Sequence, residues 1–193
     1  MRRSANIAER RWSRGYTLVE VLITVVLFTL LVLGITQLYV VYGRVISLQT
    51  SSIGIALNGS SIIDAVRAAA LPADHVVAAH TFSGVGYTTS ADTALFELPA
   101  IDSSGAVIPN AYDYVGIYAS GTNVYRVIDA AVGSVRIAGT KRLTDALGAL
   151  SFTYDNADLT LVTNVVVDAT TTAVVHGQTT QVHLRTRVYL RNL

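Results

Sequence analysis

The order of apolar and polar positions changes character near residue 44. From Val21 to Gly43 run 23 residues without a charge. As a helix rising 1.5 Å per residue they cover about 35 Å, slightly more than the ~30 Å hydrocarbon core of a bilayer. Past Arg44 the apolar residues thin to a seam. Val45, Leu48, Ser52, Ile55, Gly59, Ile62, Val66 and Ala69 recur at alternating steps of three and four, the spacing of a helix stripe laid against a partner. Pro72 lacks an N–H and disfavours helical geometry at Leu71, so it should end the helix. The pattern thus predicts one helix over 17–71, with 16–43 suited to lipid and 44–71 to packing on a domain. Gly34, Gly43, Gly54 and Gly59 mark soft points or close-packing sites along it.

Residues 72–193 read as strands and turns. The candidates are "HVVAAHTF", "ALFEL", "YDYVGIYA", "NVYRVID", "SVRIA", "LSFTYD", "NVVVDATTTAVV" and "TQVHLRTRVYL", divided by "DSSG", "SGTN" and "HGQ". "TKRLTDALG" is expected to be a short helical turn. Two hairpins stand out, one over 112–129 and one over 164–190. In the second, a two-residue loop at His176-Gly177 pairs Val175 with Gln178. It also sets Val165, Val167 and Ala169 opposite Val188, Thr186 and Leu184, on one apolar face, with Asp168 opposite Arg185. The expected class is α+β, a long N-terminal helix against an antiparallel sheet.

Charge sharpens the division. Residues 1–15 carry five arginines against Glu9, a net of +4, and the remaining nine basic and twelve acidic residues leave −3. The overall +1 therefore averages a basic leader and a mildly acidic body, which gives no footprint for nucleic acid. A basic N-terminal flank places residues 1–15 in the cytoplasm and those after Arg44 outside it. The mean hydropathy of +0.47 comes mostly from the segment before residue 44. Without cysteine, the chain has no disulfides, thiol nucleophile or thiolate metal site.

One residue resists the plain membrane-anchor reading. Glu20 is the single charge between Arg14 and Arg44, and a carboxylate deep in a membrane helix costs roughly 2.5–3.5 kcal/mol. The stretch "RGYTLVEVLI" around it resembles the processing site of type IV pilins and type II secretion pseudopilins. That resemblance implies that prepilin peptidase cuts after Gly15 and that Tyr16 becomes an N-methylated amino terminus. It also implies that Glu20 serves assembly, facing the terminal amine of a neighbouring subunit. The implied partners are the peptidase, other pilins through the N-terminal helix, and the inner membrane, with the C-terminal domain extracytoplasmic before it enters a filament. Two departures bear on subtype. Tyr16 stands where the family's usual residue is Phe, and Gln37 stands where many major pilins have Pro. The second points to a minor pilin or pseudopilin, and "TRVYLRNL" resembles the ending of minor pseudopilins of the J or W type.

Elsewhere, candidate chemistry is sparse. His75 and His80, with Asp74, have no third metal ligand in reach, and the two histidines differ in strand parity; no metal or cofactor is expected. His176 and His183 read as turn and surface positions. "DNADL" at 155–159 resembles half a calcium loop but lacks its Gly and closing Glu. "GVGYTT" has two glycines and opens no helix, and no nucleophile elbow or acid pair suggests an enzyme. The sequon "NGS" at 58–60 lies in the predicted helix. On the last strand Gln181, His183, Arg185, Arg187, Tyr189 and Arg191 share the face opposite Val182, Leu184, Thr186, Val188 and Leu190. Arg185, Arg187 and Arg191 make a candidate ligand face, the basis of an alternative reading as an anchored adhesin or DNA-uptake pilin. Tyr112, Tyr114, Tyr118 and Tyr125 are either an adhesive surface or sheet packing.

Overall fold

The computed structural model describes residues 16–191. Within them lie one long helix, α1 (Leu18–Ala70), and then ten strands. These are β1 (His75–Val76), β2 (Ala79–Phe82), β3 (Val85–Thr88), β4 (Thr93–Ile101), β5 (Val107–Ser120), β6 (Asn123–Asp129), β7 (Gly139–Thr144), β8 (Leu147–Tyr154), β9 (Asn164–Val175) and β10 (Gln178–Tyr189). A 3-10 turn, Leu159–Leu161, precedes β9. The class is α+β, as the pattern predicts. The chain divides into two compact units after Val45.

In the second unit the strands form three antiparallel sheets, ordered β1-β4-β5-β6-β7, β10-β9-β8 and β2-β3. Residues 46–70 of α1 cover both larger sheets. Ile62, Val66 and Ala69 share one buried cluster with Phe96, Ile117 and Val124 of the first and Val165, Val167 and Val188 of the second. The predicted seam is the buried stripe from Ile55 onward, while Val45, in the first unit, stays exposed. Helix and sheet approach closely at Gly59, where an added Cβ would lie 2.6 Å from Leu184 Cδ1. Beside it, the buried Thr171 donates its hydroxyl to the Ile55 carbonyl at 2.7 Å. A Cβ at Gly54, by contrast, would meet nothing within 4 Å.

The opposite face of the five-stranded sheet is covered by the β2–β3 hairpin. Phe82 buries with Leu95 and Val127 in a second cluster. Its ring fits over Gly116, where a Cβ would meet Val127 Cγ1, Leu95 Cδ2 and Phe82 Cε2 at 2.9, 3.0 and 3.3 Å. A side chain at 116 would fill the hole that receives the hairpin.

The C-terminal hairpin turns at His176-Gly177 with Val175 opposite Gln178, and every predicted pair from Ala169–Leu184 to Val165–Val188 is present. Both loop residues have positive φ, 50° and 77°, as a two-residue turn matched to strand twist requires. Three expectations need correction. "SVRIA" (134–138) is not a strand, because the Ser134 hydroxyl and the Arg136 guanidinium are both taken by Asp113. "TKRLTDALG" (140–148) holds most of β7 and the start of β8 instead of a helical turn, since β6 offers a free edge that β7 pairs. "HVVAAHTF" splits between β1 and β2, which belong to different sheets.

Candidate functional site

The first unit supplies the segment to which sequence reasoning assigns a role. Gly15 and the leader 1–15 lie outside the described residues; Tyr16 is described and exposed. α1 begins at Leu18 because Thr17 caps it. The Thr17 carbonyl accepts the Val21 N–H at 3.2 Å, and its Oγ1 accepts the Glu20 N–H at 3.3 Å. Glu20 reaches back, its Oε2 accepting the Thr17 N–H at 3.0 Å and the Thr17 hydroxyl at 3.1 Å. This T-x-x-E capping box satisfies two donors that a helix start leaves orphaned. Glu20 is therefore held within its own chain, at the positive end of the helix dipole. Thr17 is the residue sequence reasoning missed, although the T-x-x-E spacing before an apolar run was a readable signal.

Downstream the segment presents little but hydrocarbon. Thr24, Thr29 and Thr36 each donate to the carbonyl four residues back at 2.7–2.8 Å, so their hydroxyls are satisfied inside the helix. Large apolar side chains from Leu18 to Tyr42 are exposed all around, Phe28 at 66% and Leu38 at 72%. Such a surface exceeds what a soluble monomer shows to water and calls for lipid or other helices. α1 is long and apolar enough to cross a bilayer.

The second unit disperses the other candidates. Arg185 and Arg187 do lie exposed on β10, an edge strand, and Arg191 is exposed two residues beyond its end. Asp168 sits opposite Arg185 in register, yet its carboxylate contacts His183 Nε2 at 2.5 Å. His75 and His80 face different carboxylates, Glu97 at 3.9 Å and Asp129 at 2.9 Å. Among the described residues no group of three or more His, Asp or Glu gathers to hold a metal. His176 occupies the hairpin loop.

Both acids of "DNADL" act as caps. Asp158 receives the Thr160 N–H at the start of the 3-10 turn. Asp155 Oδ1 receives the N–H groups of Thr163 and Asn164 at 3.0 and 3.3 Å, and Oδ2 the Thr163 hydroxyl and Asn164 amide. Three of the four tyrosines are packing residues. Tyr114 stacks on His80 with centroids 3.8 Å apart, and Tyr118 lies between Tyr87 and Tyr125. Burial, reinforced by Glu97, pushes the Tyr114 phenol up to about 12. Burial, with Tyr87, does the same to Tyr118. Tyr112 remains exposed.

A further polar site has no local signature in the sequence. Asp113 is fully buried; it accepts the Ala131 N–H and the Ser134 hydroxyl, each at 2.7 Å, and Arg136 Nη1 at 2.5 Å. Arg136 also donates to the Pro99 carbonyl at 2.7 Å. The cluster ties the 130–138 loop to β4 and β5, strands inside the sheet.

Residues 13–36 match the prokaryotic N-terminal methylation motif. That motif is a prepilin peptidase cleavage site, and it supports a type IV pilin-like protein of structural type, in which the apolar N-terminal part of α1 fits a membrane anchor. No curated protein and no solved structure matches the chain.

Proposed function

We propose that the chain is a minor pilin or minor pseudopilin, a non-enzymatic structural subunit of a type IV pilus or type II secretion pseudopilus, placed in its initiating complex. The observation that carries this reading is a coincidence within residues 13–36. The methylation motif falls on an unburied apolar helix whose single acid in that span, Glu20, sits in the first turn. Prepilin peptidase cuts between Gly15 and Tyr16 on the cytoplasmic face, where glycine leaves the backbone unhindered. Tyr16 is then N-methylated. Residues 16–43 span the bacterial inner membrane, and 72–193 form the extracytoplasmic domain. In the filament the Tyr16 amine of one subunit pairs with Glu20 of its neighbour; low dielectric strengthens the attraction of two charges that are each unfavourable alone. Intact mass of protein purified from its native host tests the reading. The expected species begins at Tyr16 and carries one added methyl group; a chain that retains Met1 in a host with active peptidase overturns it.

The exposed row Arg185, Arg187 and Arg191 favours a second reading, an adhesin or DNA-uptake pilin. Replacing all three with alanine separates the two: a ligand-binding pilin loses its ligand, and a scaffold subunit enters filaments as before.

A further inference from the structure

Arg126 on β6 is a cation without a counter-charge among the described residues. It pairs with Ile117, a core residue, so it projects from the face of the five-stranded sheet that meets residues 46–70 of α1. Its Nε is cut off from solvent and has no hydrogen-bond partner. Arginine ion pairs among the described residues involve Arg67, Arg136 and Arg142, not Arg126. Directly opposite Arg126 on β7 is Lys141. Like charges in directly opposed positions destabilise a strand pair. A buried Nε donor without an acceptor adds to that cost.

Arg126 lines a half-open cavity of about 390 Å³. Ala65, Ala68 and Ala69 of α1 form one wall, and Leu98, Val115 and Ile137 add further apolar surface. Arg136 also reaches it, but its charge is balanced by Asp113. The volume is that of a small-ligand site, which spans about 300–1,000 Å³.

We propose that this cavity binds a short aliphatic carboxylate, its head on Arg126 and its chain along the alanine wall of α1. The planar fork of a guanidinium matches a carboxylate through two parallel hydrogen bonds. Lys141 adds positive potential at the same end. Alanine, leucine, valine and isoleucine side chains form most of the remaining lining, which suits a single anionic head on a hydrocarbon stem.

The test titrates full-length protein in lipid nanodiscs with hexanoate carrying a labelled carboxyl carbon, followed by NMR against empty nanodiscs. Saturable binding is expected. Arg126→Gln should weaken it roughly tenfold or more, the scale of a lost charged hydrogen bond. Its melting temperature should not fall, because an unpaired cation has been removed. Ala68→Leu, at an exposed helix position, should block the site by filling it. Hexylamine and inorganic phosphate should not compete. Absence of saturable hexanoate binding, unchanged affinity in either variant, or equal binding of hexylamine overturns the proposal.

Discussion

Thr17 and Glu20 hold each other across the first turn of α1, each accepting the other's backbone N–H. The sequence leaves Glu20 as a bare acid at the edge of lipid; the structure gives it a partner three residues away. Its role in the cap and its proposed role in assembly can be separated, because a glutamine keeps the cap and loses the charge. Glu20→Leu and Glu20→Gln should both be cleaved after Gly15, fold normally and fail to enter filaments. Thr17→Ala should cost the helix start about 1 kcal/mol and still assemble. Filament fractions from cells expressing each variant decide the matter: normal assembly of Glu20→Gln would leave the amine-pairing account without support.

Two glycines of α1 should respond in opposite ways to the same change. Gly59→Ala places a Cβ 2.6 Å from Leu184 Cδ1, so the leucine must shift within a packed interface. A cost of roughly 1–3 kcal/mol is expected, the range for overpacking. Leu184→Ala in the same chain should recover part of it, since the two changes share one contact. Gly54→Ala meets no neighbour and should stabilise the isolated protein by up to about 1 kcal/mol through helix propensity. Urea unfolding of the variants measures both signs.

Asp113 holds the 130–138 loop by three donors, one of them its ion-pair partner Arg136. Asp113→Ala leaves the Arg136 guanidinium partly buried without its anion, and removing one partner of such a pair typically costs roughly 3–5 kcal/mol. The loss should be local first. The Val135 N–H, which donates to the Ile101 carbonyl at 2.8 Å, should exchange with solvent far faster in the variant, while amides of β9 and β10 stay protected. Hydrogen exchange read residue by residue checks this.

These sites differ in how far a sequence can announce them. The β9–β10 hairpin was legible to the register because one face is buried and the other is not, so a slip of one residue would invert the pattern. The end of α1 was legible through Pro72. Segment 134–138 looked like a strand because Val135 and Ile137 alternate with polar residues. Both lie exposed in a loop that follows from Asp113, 23 positions before Arg136, and local periodicity carries no trace of that link. In "ATTTAVV" the middle threonine is fully buried against Ile55 while its neighbours are not; alternation gives its face, but only the packed helix gives its hydrogen bond. For the candidate site, a motif announces Gly15, Tyr16 and Glu20. The cap is also written in the sequence, as a three-residue spacing, but the apolar run beside it is the louder signal.

Asp155 supplies the pH dependence. Burial alone would raise its carboxyl, but hydrogen bonds from the Thr163 hydroxyl and from the amides of Asn164 and Thr163 outweigh that and hold it below the ordinary value of 3.8. A group depressed in the folded state releases its proton more readily there than in the unfolded chain. Its contribution to stability is thus complete above the unfolded value and disappears as pH falls through the folded one. Asp155→Asn removes the charge and turns an amide toward the Asn164 side-chain donor, so the variant should be less stable at neutral pH. The difference from the parent chain should shrink as pH falls below about 4, because Asp155 is itself becoming protonated. Other aspartates, Asp102 and Asp158 among them, titrate in both proteins and cancel in the comparison. Thermal melts of the two chains across this range test the sign. A gap that widens toward acid would mean that Asp155 is protonated more readily folded than unfolded, and that its four donors do not anchor the approach to β9.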